Sequence, residues 1–157
     1  MVETFKETRN LEDVIAEHND IVMQYKKDFT RYETEDRKPY LTKIYDLIPA
    51  ELNNSNKRFN FADLKKGLQY SRSEDNFIWL ANAGVALPVY NVAAPTIPLL
   101  LNAKSSLFKL FLSDVGMLTS LYGRATKKQL LSDDQDINNG ALYENVVAQE
   151  LKVHGFK

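Results

Sequence analysis

The sequence predicts a mainly α chain carrying one small β-ribbon. Three observations lead there. Apolar residues recur at helical spacing through the first third of the chain, glycine and proline punctuation sets off short helices in the middle, and two apolar runs flank a proline-bearing loop. At 157 residues, 44% of them apolar, the chain has the material for a real core in one compact domain or two small ones, and is too hydrophobic to stay disordered.

Asn10 is placed to cap a long first helix, in which Leu11, Ile15, His18, Val22, Tyr25, Phe29 and Tyr32 form one apolar stripe that has to pack on something. A second helix is expected from about Arg37 to Leu52, with Tyr40, Ile44, Leu47 and Ile48 inward and Pro49 kinking or ending it. After a polar loop at 53–60, Phe61 to Lys66 reads as a short helix stopped by Gly67. Ser73 then caps a helix over Glu74 to Ala83 that Gly84 closes, with Phe77, Leu80 and Ala81 buried.

Val85 to Val92 and Leu107 to Leu112 read as two strands joined by the Pro95 and Pro98 loop. Helix, short helix, capped helix and two strands is the order of a winged helix-turn-helix. A further helix runs from about Asp114 to Tyr122 and is closed by Gly123. Arg124 to Gly140 reads as a linker or surface loop, and a last helix covers about Ala141 to His154. The expected division is residues 1–35 as a connecting helix, 36–123 as the winged-helix-like domain and 124–157 as a linker with a terminal helix.

Charge narrows the possible functions. Twenty basic groups against twenty-one acidic ones leave −1 overall, which argues against wholesale attraction to nucleic acid or anionic membrane. The balance is uneven, because residues 1–35 come to −4 and residues 36–72 to +4. An anion-facing surface is therefore expected in the second quarter, and Lys57, Arg58, Lys65, Lys66 and Arg72 are the nucleic-acid-binding candidates. Against them, the capped helix opens with Glu74 and Asp75, which repel phosphate where a recognition helix meets DNA. The ribbon loop Ala93 to Asn102 has no Lys or Arg, and its Ile97, Leu99, Leu100 and Leu101 look like packing surface. Contact with a protein or another domain is the stronger expectation.

With no cysteine, disulfides and thiolate metal sites are excluded, which suits a reducing, cytoplasmic setting. The longest apolar runs, such as Pro98 to Leu101, are far too short to span a bilayer, and no signal peptide opens the chain, so no membrane partner is expected.

Motifs for chemistry are few. No G-x-x-x-x-G-K-[ST] phosphate loop, H-E-x-x-H zinc helix or G-x-S-x-G elbow occurs. The two histidines are far apart in sequence, so His18 reads as a packed side chain and His154 as a favourable charge near a helix end. Asp134, Asp136 and Asn138 followed by Gly140 and Glu144 have the alternating oxygens of a calcium loop, but glycine and glutamate stand at the wrong positions in the count. The plainer reading is a turn at Asn138, Asn139 and Gly140 that starts the last helix.

Glu144 shares a helical face with Val147, Ala148 and Leu151, while Leu142, Val146 and Val153 cover the other side. This predicts a helix sandwiched between two layers. Its glutamate is then either salt-bridged or rim-placed, or has a pKa raised by burial.

Two stretches carry a resemblance. Phe108-Lys109-Leu110-Phe111-Leu112-Ser113-Asp114-Val115-Gly116-Met117-Leu118 is followed by Gly140-Ala141-Leu142-Tyr143-Glu144-Asn145-Val146-Val147-Ala148-Gln149-Glu150-Leu151. Together they resemble the C-terminal region, of unknown function, that follows the ATPase module in a large family of bacterial and archaeal AAA-type P-loop ATPases. Val89-Tyr90-Asn91-Val92 with Pro95 and Pro98, and Ile48-Pro49 with Asn56-Lys57-Arg58-Phe59, are similar to the same family, so the likeness runs from about residue 10 to the end.

The resemblance implies a P-loop ATPase domain, then a winged helix, then a domain similar to PD-(D/E)XK nucleases, with the first missing here and the third truncated after its opening helix. Glu144 matches the glutamate that in related active nucleases helps hold a divalent metal. The remaining Asp and Glu-x-Lys elements would lie beyond Lys157, so neither a catalytic residue nor a complete metal site is expected. ATP and Mg are implied only for the ATPase domain. The sequence thus predicts a non-catalytic interaction module that docks the ATPase onto a partner or self-associates. A DNA-binding winged helix is the alternative, and a remnant of a metal-dependent nuclease-like domain the second one.

Overall fold

The computed structural model describes residues 2–32, 38–54, 56, 58–131 and 139–156. A short helix α1 (Val2–Thr8) leads into α2 (Leu11–Tyr32), with Arg9 at φ +53° in the turn and the Asn10 side chain accepting the Glu12 N–H at 3.0 Å. Helix α3 (Lys38–Asn53) follows, then α4 (Phe61–Leu64), a 3₁₀ turn (Tyr70–Arg72) and α5 (Glu74–Asn82). Strands β1 (Ala86–Val92) and β2 (Ala103–Leu112) form a two-stranded antiparallel sheet. Helices α6 (Val115–Tyr122), α7 (Arg124–Leu131) and α8 (Gly140–Val153) complete the described chain. Among the described residues no helix is long and apolar enough to cross a membrane.

Helix α3 is the centre of the molecule. Leu41, Ile44, Tyr45, Ile48 and Leu52, three or four residues apart, are all fully buried, and the helix touches α2, α5, β2, α6 and α8. Burying a side chain of this size stabilises the fold by about 1.5–3 kcal/mol. One core cluster joins Phe29 of α2, the α3 stripe, Phe77 and Leu80 of α5, Leu110 and Leu112 of β2, Leu118 of α6 and Leu142 of α8. Beneath β2 the rings of Phe59, Phe61, Tyr70 and Phe77 surround Phe108 at centroid distances of 5.1–6.2 Å. Phe59 is stacked on Phe108 and the other three rings meet it edge-to-face or tilted, which adds specific geometry to the area buried.

The ribbon pairs Ala86 with Leu112 and Tyr90 with Phe108. Beyond Tyr90 the register shifts, so that Asn91 meets Lys104 and Val92 meets Ala103. Asp114 caps α6 by accepting the Gly116 N–H, and a Cβ at Gly116 would lie 2.8 Å from Asp114 Oδ1 and 2.9 Å from His18 Nε2, so a larger residue there would have to displace the capping carboxylate or the histidine ring.

Several expectations need correction. Pro49 does not end its helix. It sits within α3, where the buried Ile48 and Leu52 on either side hold the helical course against one missing backbone hydrogen bond, and Asn53 Nδ2 donates to the Pro49 carbonyl at 2.8 Å. Ser73 occupies the cap position of α5, but its hydroxyl donates to the Tyr70 carbonyl at 3.1 Å and does not accept from the helix. The second strand starts at Ala103, not Leu107, once the register shift is accommodated. The expected linker from Arg124 contains a helix over Arg124–Leu131, fixed by the buried Lys127. The last helix is not sandwiched: Ala141, Leu142 and Asn145 are buried, whereas Val146, Val147 and Val153 are exposed.

Candidate functional site

Helix α8 is held by its polar groups as much as by its apolar ones. Asn145 is completely buried, and its carboxamide both accepts from the Leu112 N–H and donates to the Leu112 carbonyl, each at 2.9 Å. It thereby supplies what another strand residue would supply at the end of β2. One turn on, Gln149 Oε1 accepts the Val115 N–H at 3.0 Å, at the N-terminus of α6, where backbone donors lack intrahelical partners. Sequence reasoning missed both residues. The signal was there to read, as two carboxamides four positions apart beside Ala141, Leu142 and Ala148 on one helical face.

The opposite side of α8 faces a groove along the β-ribbon. Two adjoining hollows, of about 600 and 460 Å³, share a wall made by Val89, Tyr90, Ala148 and Leu151. The first hollow is lined further by Arg58, Phe108, Lys109, Tyr143, Glu144 and Val147, the second by Leu99, Leu100, Lys152 and Phe156. Tyr143 is 68% exposed, Val147 57% and Leu100 86%. Apolar side chains are therefore open to solvent along a continuous face, well beyond the singly scattered residues of an ordinary surface. The aromatic cluster explains one wall, because Tyr90 leans on Phe108 at 5.5 Å between centroids.

Glu144 lies at the groove's edge in a salt bridge with Lys109 at 3.0 Å, both side chains about a third exposed. Of the readings offered for this residue, the salt bridge is present. Among the described residues, no group of three or more His, Asp or Glu stands close enough together to hold a metal ion. Asp134, Asp136 and Asn138 lie outside the described residues, and Gly140 opens α8.

Arg58 is exposed and lines the first hollow, Lys65 and Lys66 are exposed at the end of α4, and Arg72 is exposed in the 3₁₀ turn. Lys57 lies outside the described residues. Glu74 and Asp75 stand in the first turn of α5, as expected.

Two buried titratable clusters lie away from the groove. His18 and Lys127 are each 8% exposed, with Lys127 Nζ 2.9 Å from His18 Nδ1 and 2.8 Å from Ser120 Oγ. Burial, and then the Lys127 charge, hold His18 below its ordinary pKa, while burial lowers that of Lys127. His18 is thus packed as the sequence predicts, with a lysine partner that no local pattern announces. Glu51, 3% exposed, accepts the Asn60 N–H at 3.0 Å, and burial followed by the nearby Asp63 pushes its carboxyl up to about 7. His154 caps α8, its Nδ1 2.8 Å from the Glu150 carbonyl.

Residues 1–128 match a family described as a domain of unknown function (DUF8612). The chain belongs to that family. No curated protein and no solved structure matches it. The DUF8612 match stops within α7, so α8 and its clamp on Leu112 lie past the matched residues while sharing the core of the DUF8612 unit.

Proposed function

We propose that the chain is a non-catalytic interaction module of an AAA-type ATPase, docking the motor onto a protein partner or a second copy through the groove face of β1, β2 and α8. One observation carries this reading: exposed apolar side chains of the ribbon, its loop and α8 gather around the two adjoining hollows. The resemblance of the 108–118 and 140–151 stretches to the C-terminal region of such ATPases supports the parentage, and the order α3, α4, α5, β1, β2 supports a winged helix within residues 36–123. In this reading residues 1–35 connect back to the ATPase domain, which holds ATP and Mg, and 124–157 form a linker and the opening helix of a nuclease-like domain.

The experiment is sedimentation of the chain alone and calorimetric titration against the parent ATPase domain. A dimer or tight capture is expected, weakened at least tenfold by Val147→Asp with Leu151→Asp, a loss of about 1.4 kcal/mol or more. A monomer indifferent to that domain overturns the reading.

DNA binding is the second reading, favoured by the exposed Arg58, Lys65, Lys66 and Arg72. It predicts duplex affinity that falls steeply with salt and weakens in Lys65→Glu plus Lys66→Glu, and no binding at low salt ends it. The nuclease-remnant reading draws on Glu144 alone. Its measure is magnesium-dependent nicking sensitive to Glu144→Ala, and an inert preparation dismisses it.

A further inference from the structure

We propose that the groove takes an acidic amphipathic helix from a partner protein, with apolar side chains seated in the two hollows and flanking carboxylates facing Arg58 and Lys152. This deepens the docking reading above and rests on it.

Tyr143, Val147 and Leu151 stand four residues apart and all line the first hollow, so they form a ridge along α8. A second helix packs against such a ridge by setting its own rows of side chains into the spaces beside it. Because the wall of Val89, Tyr90, Ala148 and Leu151 divides the groove, the occupant has two seats instead of one. Apolar anchors a turn or two apart on one helical face suit that division.

Charge selects the partner. The side chains lining the two hollows include three basic residues, Arg58, Lys109 and Lys152, and one acidic residue, Glu144, which is already matched to Lys109 at 3.0 Å. Arg58 belongs to the first hollow and Lys152 to the second, so positive charge stands in both, and both side chains are exposed. A basic helix would meet like charge in each hollow. An acidic one gains attraction in both, and with it faster association and partner selection.

Fluorescence anisotropy tests this with three labelled synthetic helices on the full chain. They share one leucine stripe and differ in having glutamate, glutamine or lysine flanks. The glutamate helix is expected to bind about tenfold tighter than the glutamine helix, and the lysine helix weakest, with the gap closing as salt rises. Arg58→Glu with Lys152→Glu, both at exposed positions, should reverse that order. Equal binding by all three, or tightest binding by the lysine helix, overturns the acidic partner. If Val147→Asp still abolishes that equal binding, docking at the groove stands and only the charge selection falls. Capture of the ATPase domain by a chain that binds none of the helices overturns this inference and leaves the docking reading in place. A dimer whose formation Val147→Asp abolishes assigns the groove to a second copy and overturns it as well.

Discussion

Helices α3 and α8 both carry apolar residues at helical spacing, yet they end in different surroundings. Every residue of the Leu41, Ile44, Tyr45, Ile48 and Leu52 stripe is sealed in the core, with neighbours on several sides. On α8 only Ala141, Leu142 and Asn145 are sealed, and the Tyr143, Val147 and Leu151 ridge is left open. An apolar stripe therefore reports that a helix has something to cover. It does not report whether the same chain covers it.

The largest expected effect breaks this comparison at its buried end. Ile44→Ala should lower stability by about 3–4 kcal/mol through lost burial and a cavity, while Val147→Ser stays within about 0.5 kcal/mol, as denaturant midpoints would register. Equal costs at the two positions would mean that the open face of α8 is covered after all.

Asn145→Ala comes next, at about 2–3 kcal/mol, because it leaves the Leu112 N–H and carbonyl buried without a partner. Hydrogen exchange at Leu112 should accelerate in that variant. Asn145→Asp should fail to rescue it, since a carboxylate has no N–H for the carbonyl.

Glu51 sharpens the comparison through pH. Its carboxyl titrates at about 7 in the fold against an ordinary value of 4.5, so the fold favours the protonated form. Stability is then full below about 4.5, falls as the pH rises towards 7 and levels off above. Glu51→Gln should remove this slope and gain roughly 1–2 kcal/mol at pH 8, measured by thermal unfolding across a pH series. His18 has the opposite sign. Burial and Lys127 hold it neutral, so its contribution is present above its ordinary pKa of 6.5 and is lost as the pH falls below it. His18→Gln should flatten that acid limb in the same series.

The smallest expected effect is at the groove's edge. Glu144→Gln breaks an ion pair whose side chains are each about a third exposed, and should cost well under 1 kcal/mol, less still in high salt. A loss of several kcal/mol would give Glu144 a weight that the Lys109 contact does not explain.

Much of the fold was legible where the deciding chemistry is local. Asn10 and Asp114 cap the helices they precede, and Gly67, Gly84 and Gly123 stand at positive φ where helices or turns end. What escaped depends on distant neighbours. Helix α7 looked like a linker because its buried Lys127 finds His18 from across the sequence. That the helix runs on past Pro49 was not legible because the packing that carries it there comes from other elements.

The candidate site divides the same way. The apolar stripe of α8 and its glutamate could be read directly, and the salt bridge was one of the roles foreseen for Glu144. That the stripe is half covered, and that Asn145 and Gln149 are the residues fastening it, required knowing where Leu112 and Val115 lie. Of the basic candidates among the described residues, Arg58 lines the groove, whereas Lys65, Lys66 and Arg72 are exposed elsewhere.

The fastening at Leu112 bears on how the DUF8612 unit can vary. Its strand end is completed by a side chain from outside the matched stretch, so unit and neighbour are not independently portable. Any rearrangement that gives the unit a different successor has to bring along a carboxamide, or some other paired donor and acceptor, to meet the same two backbone groups.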